Sequence, residues 1–278
     1  MYGSAADMSK LGRAILNSTL LKPSLTRRWL KPVSFTSDFV AAVGIPWGLR
    51  RLRLPGDNPH RTVTAFTKAG GVGDYSAFLS LLPEWNIGIT VMAAGSNTGG
   101  YGFTLADSFG AIMLPAFVAA AREEALAVYG GTYSVADSST LNSSLTVTAD
   151  PNRPGLGLGY WVSNSTNMLP VSLVLQSGQL DAITKNSSIP SVRLYYSGLE
   201  TIKPNGNIEQ SWKAVFEDIS FPSNQGYGFS TDCGNWITYT GVTYTGLPLD
   251  TFIFEMTPDR KVVSVRNLAL MSTLKKVS

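Results

Sequence analysis

One cysteine, Cys233, and one histidine, His60, are all that the 278 residues hold of the two side chains most used for cross-linking and metal ligation. With one of each, neither an internal disulfide nor a His/Cys metal cluster can be assembled within the chain, and no metal or other cofactor is expected. Charge is scarce as well: 15% of residues are charged and the net charge is +3, from dispersed Lys and Arg whose densest group is Arg50, Arg51 and Arg53. A nucleic-acid partner would need a broad basic face with aromatic platforms, so none is expected. Long hydrophobic runs are missing too. The most apolar stretch, Phe109 to Ala121, contains Pro115 and is short for a bilayer, so a buried helix is expected and no membrane span. The first residues, Met1-Tyr-Gly-Ser-Ala-Ala-Asp7, show neither the basic nor the apolar region of a signal peptide. Four N-x-S/T sequons, at Asn17, Asn142, Asn164 and Asn186, fit surface loops of a glycosylated, secreted protein, but their number is close to chance and leaves the compartment open.

What is present is apolar material. At 44% hydrophobic, the chain has enough for one large core or two smaller ones. Ser4-Ala-Ala-Asp7 is a capping-box-like start, and Met8, Leu11 and Ile15 follow at helical spacing, which predicts a helix over about residues 5–17. A short helical turn after Pro23 closes at Pro32, and an irregular segment leads to Gly44-Ile-Pro-Trp47. Four strands follow, over 48–54, 61–68, 76–82 and 87–93, with turns short enough to imply an antiparallel meander. Residues 105–128 read as a long helix packed on that sheet, bent at Pro115 and stopped by Gly130-Gly131. Past Tyr129, Ser, Thr, Asn and Gly dominate, and alternating runs at 144–148, 159–162, 191–196, 236–239 and 252–254 predict strands. The expected fold is α+β, with a helix-flanked sheet over 1–128 and an all-β sandwich or barrel over 129–278.

The chemistry-bearing segment is Phe66-Thr-Lys68-Ala69-Gly70-Gly71-Val-Gly-Asp-Tyr75-Ser76, read as the end of one strand and a glycine-rich turn into the next. A Lys-(Thr/Ser)-Gly triplet in this place resembles the third signature of the serine β-lactamase and penicillin-binding-protein superfamily. Its flanks strengthen the likeness. Ser4 to Leu16 is similar to the helix before that signature, and Leu82-Pro-Glu-Trp-Asn-Ile-Gly-Ile-Thr-Val-Met92 to the hairpin after it. Leu30-Lys-Pro, Ile45-Pro-Trp and Tyr129-Gly-Gly-Thr-Tyr-Ser resemble the fungal β-lactamase-like branch, in which a β-rich domain is appended.

That resemblance implies acyl transfer through the serine of S-x-x-K, aided by the lysine and by the tyrosine of Y-x-N. Y-x-N is absent from these residues, and the one S-x-x-K match, Ser272-Thr-Leu-Lys275, sits in a basic tail where a nucleophile does not belong. The chain is thus expected to carry the carboxy-terminal half of such a domain without its nucleophile, and to be inactive alone. Supporting roles fall to Lys68, a positive charge beside the acyl group, and to Gly70 and Gly71, the Gly71 N–H matching the second oxyanion donor. Lys68, Ala69 and Tyr75 would touch substrate. Ala69 replaces the usual Thr or Ser, which favours small esters, lactones or amides over penicillins, with fungal secondary metabolism as the setting. The alternatives are a non-catalytic binding or scaffold protein, or one half of a split hydrolase needing a complementary amino-terminal half. A third is a hydrolase built on His60, although a single turn histidine is ordinarily solvated. Lys68 also reads as a plain strand-end lysine in water, Cys233 as a half-buried strand residue, and Trp47, Trp85, Tyr75 and Tyr101 as core or rim packing. Loss of one lobe predicts a large exposed apolar surface over 1–125 and self-association.

Overall fold

The computed structural model describes residues 3–54, 62–96, 98–135, 141–177, 188–220 and 241–277. His60, Cys233, the sequon asparagine Asn186 and the strand expected over 236–239 lie outside them. Two compact units form, Met1–Ala121 and Arg122–Ser278.

In the first unit, α1 (Ala5–Leu16) begins at a complete capping box: the Ser4 hydroxyl accepts from the Asp7 N–H, and the Asp7 carboxylate accepts from the Ser4 N–H. α2 (Pro23–Trp29) starts on a proline, whose missing N–H costs nothing in a first turn. Six strands then run as one antiparallel meander in chain order: β1 (Ser34–Phe35), β2 (Ala41–Val43), β3 (Gly48–Arg53), β4 (Thr62–Val72), β5 (Tyr75–Leu82) and β6 (Ile87–Ala94). The stretch read as irregular therefore supplies β1 and β2. A larger correction concerns β4, which runs on through Gly70 and Gly71 to Val72, so the signature is strand and the turn is Gly73-Asp74 alone, with Gly73 at φ +57°. Gly70 has open space around it, and continued pairing with β5 holds it extended.

One face of this sheet packs with α1 through Ile15, Phe66, Leu79 and Leu81. The other face, with Val63, Ala65 and Leu82, takes Leu114, Phe117 and Val118 of α3 (Tyr101–Tyr129). α3 starts earlier than expected and is not a buried helix: in its first unit portion Gly102 and Leu114 are its buried residues, while Phe103, Leu105, Phe109 and Ile112 are exposed. By length and composition alone it is apolar enough to cross a membrane. Its Leu114, Phe117 and Val118 nevertheless lie on a sheet, and its Ala125, Val128 and Tyr129 pack on the second core.

The second unit is a closed antiparallel barrel. Its strands are β7 (Gly131–Ser134), β8 (Ser144–Thr148), β9 (Leu156–Ser163), β11 (Pro190–Ile202), β12 (Ile208–Asp218), β15 (Thr251–Met256), β16 (Val262–Asn267) and β17 (Thr273–Lys276). They pair in the order β9-β11-β12-β15-β16-β17-β7-β8, and β8 pairs back to β9, which removes the sheet edges. Short β10 (Thr166–Asn167) extends β9, and β13 (Thr243–Tyr244) pairs with β14 (Leu247–Pro248). The unit is not all-β: α4 (Met168–Ser177) packs against it, with Leu173 buried. Side chains fill the interior, led by Trp161, Tyr133, Phe216, Phe252 and Phe254. At the wall, Arg193 is 4% exposed and gives its guanidinium to the carbonyls of Arg153, Pro154 and Gly155. Burial lowers its pKa, and the three carbonyls compensate a charge that sequence inspection did not single out.

Candidate functional site

The signature lies where β4 loses a neighbour. β3 pairs with β4 as far as Gly48 opposite Thr67, and the Thr67 hydroxyl closes that end by donating to the Gly48 carbonyl at 2.7 Å. From Lys68 to Val72 the strand pairs with β5 alone, and burial stops at the same point: Thr67 is buried, while Lys68, Ala69, Gly70 and Gly71 are exposed. Among the described residues, Lys68 to Val72 thus presents a strand edge with no second strand paired to it, an edge of the kind an extended ligand can join.

Strand alternation splits the predicted residues between two faces. Lys68 pairs with Leu79 and Gly70 with Ala77, on the α1 side; Tyr75, opposite Val72, shares that side and is 69% exposed. Ala69 and Gly71 pair with Phe78 and Ser76 on the α3 side. The Lys68 ammonium donates to the Ala69 carbonyl at 2.9 Å and makes no ion pair among the described residues. The Ser76 hydroxyl, opposite Gly71, is buried without a hydrogen-bond partner among the described residues. A cavity of about 270 Å³ adjoins the edge, lined by Ala69, Gly70, Gly71, Ala77, Phe78, Gly102 and Phe103. Gly102 is needed there, because a Cβ on it would come within 3.2 Å of the Phe78 Cβ. Phe78 and Phe103, which line this cavity, were not singled out from the sequence; Gly102 followed by an apolar helical turn was the available signal.

The other candidates fall elsewhere. Trp47 is 4% exposed and packs on Trp29 at 5.1 Å between ring centres, and Trp85 lies 6.0 Å from Phe117. Tyr101 is exposed at the start of α3. Ser272 immediately precedes β17, so Lys275 does not share a helical face with it as a nucleophile and its lysine must. Asn17 caps α1 and accepts from the Asn86 side-chain amide at 3.3 Å, Asn142 is exposed just before β8, and Asn164 turns between β9 and β10 at φ +46°.

Fold and signature together define a class: a helix-flanked antiparallel sheet with an open Lys-x-Gly strand edge, followed by a β-barrel. The family model described as "Beta-lactamase-like-like, C-terminal domain" matches residues 121–278, more than half of the chain. The chain belongs to that family. A "Beta-lactamase-like protein" of Arthroderma benhamiae is 27% identical over 270 residues, which cover 91% of this chain and 44% of that protein. A "Probable hydrolase" of Phoma sp. is 25% identical over 97% of this chain and 43% of its own length, and another of Cochliobolus lunatus is 24% identical over 97% and 42%. The fungal β-lactamase-like resemblance read from the motifs is therefore borne out, and the relatives' names make the family hydrolase-like. The chain spans less than half the length of these curated relatives. Among solved structures, the octameric penicillin-binding protein homologue from Pyrococcus abyssi aligns with 99% of this chain and 47% of its own at 13% identity, with a TM-score of 0.31, too loose to bear on the fold.

Proposed function

We propose that residues 62–82 form one wall of an acyl-transfer site in a β-lactamase-like serine hydrolase whose nucleophile comes from residues outside these 278. The observation that carries this reading is the open edge of β4 over Lys68–Val72, with a cavity against it, in a chain of this family. An extended acyl substrate lying along that edge would meet backbone N–H groups held in fixed directions by pairing with β5, the geometry an oxyanion hole requires. The Gly71 N–H is the donor assigned to the oxyanion. Lys68, exposed and without an ion-pair partner among the described residues, supplies a positive charge beside the reacting group. Ala69 offers no hydroxyl to a β-lactam carboxylate, so the substrate class is a small ester, lactone or amide, in the tailoring of secondary metabolites. One charge and one donor cannot form an acyl-enzyme, so the chain by itself is inactive and works with a complementary amino-terminal half.

The test is turnover of nitrocefin and of p-nitrophenyl acetate and butyrate by the purified chain, with a fluorophosphonate probe for an activated serine. Neither turnover nor labelling is expected. Labelling abolished by mutating a serine within residues 3–277 would sink the reading. In a longer relative carrying S-x-x-K, replacing the residue equivalent to Lys68 by Ala is expected to lower kcat/KM by about 10²–10³.

A further inference from the structure

The sheet face opposite Lys68 holds a second cavity, of about 250 Å³, roofed by α3. Its floor includes Phe78 and Ser80 of β5 and Thr67 of β4, and its roof includes Phe103, Ala106 and Gly110. The space exists because α3 lays small residues over the strands. A Cβ placed on Gly110 would find only Leu114 Cδ1 near it, at 3.6 Å, so the helix leaves unfilled a volume that a leucine at Ala106 would occupy. The Thr67 hydroxyl is already spent on the Gly48 carbonyl, which leaves the interior largely apolar and large enough for one ring or a branched aliphatic group.

Two charged residues of opposite sign line the same cavity, Arg50 on β3 and Asp107 on α3. Both are exposed, and no ion pair joins them among the described residues. A benzoate satisfies only the guanidinium, and an alkylamine only the carboxylate. A zwitterion with an apolar substituent satisfies both while its side chain enters the cavity. We propose that this cavity binds a free amino acid with an aromatic or branched apolar side chain, its carboxylate at Arg50 and its ammonium at Asp107. The site lies on the α3 side of the sheet, opposite Lys68, and shares Phe78 and Phe103 with the cavity beside the β4 edge, but its assignment needs nothing from the acyl-transfer reading.

The experiment is calorimetric and ligand-observed NMR titration of the 278-residue protein with L- and D-phenylalanine, benzoate, phenethylamine and toluene. One or both phenylalanine enantiomers are expected to bind more tightly than any of the three comparison compounds. Arg50→Ala should weaken phenylalanine and benzoate about two- to fivefold and spare phenethylamine, and Asp107→Asn should do the converse, the size expected for exposed charges. Ala106→Leu should abolish all binding, with circular dichroism and the melting curve showing the fold intact. The two charge variants sit at exposed positions and keep the test open should Ala106→Leu fail to fold. Absence of phenylalanine binding, binding of toluene, benzoate or phenethylamine as tight as phenylalanine, or unchanged binding in the charge variants would overturn the proposal.

Discussion

The Glu200 carboxylate, near Tyr196 on β11, accepts from the Gln210 amide at 2.7 Å, and Gln210 in turn accepts from the Tyr129 hydroxyl at 2.6 Å. Burial, with help from the Glu200 charge, pushes the Tyr196 phenol up to about 12, and burial raises Tyr129 as well. A raised folded-state pKa means that the folded chain holds the proton more tightly than the unfolded one. The stability it contributes is complete below the ordinary tyrosine value of 10.0 and is lost as pH rises toward about 12. Urea midpoints measured from neutral pH upward should therefore fall in that window, and Tyr196→Phe should fall less; parallel curves would refute the assignment. None of this network was legible in the sequence, because Glu200 meets Gln210 only when β11 and β12 pair, and Tyr129 reaches Gln210 from the end of α3, 81 residues away in the chain. Lys68 was legible, since Lys-x-Gly on a strand is a local pattern; that its strand edge is open depends on where β3 stops.

At the scale of elements, α1 was readable almost to the residue, because capping box and apolar spacing are both short-range signals. Ser4→Ala removes the side chain that receives the Asp7 N–H and should destabilise the chain by about 1 kcal/mol, read as a lowered midpoint in thermal circular dichroism. β4 was read short, because Gly70 and Gly71 look like a turn when their pairing with Ala77 and Ser76 is not visible. α4 was missed for the converse reason: Met168 to Ser177 is brief and apolar nearly throughout, a run in which helix and strand periodicities cannot be told apart.

At the scale of the whole molecule, the two units differ in how well they are filled. The barrel has one continuous core around Trp161, Tyr133 and Phe254, whereas the first unit has two small clusters on opposite faces of its sheet. Around those clusters Leu20, Phe35, Phe39, Val43 and Ile45 stand exposed, with Phe39 at 94%, and α3 adds Phe103, Leu105 and Ile112. Exposed apolar area of this kind marks a surface that is normally covered. Light scattering on the purified chain should show concentration-dependent self-association, and residues 122–278 expressed alone should be monodisperse and unfold cooperatively. A monodisperse full chain that binds no hydrophobic dye would contradict this account. By itself the sequence determined the family, the α+β class, the capped first helix and the lysine of the signature, because each is written in residues close together in the chain. Only the tertiary structure decided that the β-rich unit closes into a barrel, that β4 has an open edge beside a cavity, and that Arg50 and Asp107 flank a second one. Those facts depend on which distant strands pair and where pairing ends, and local patterns do not encode register between segments far apart in the chain.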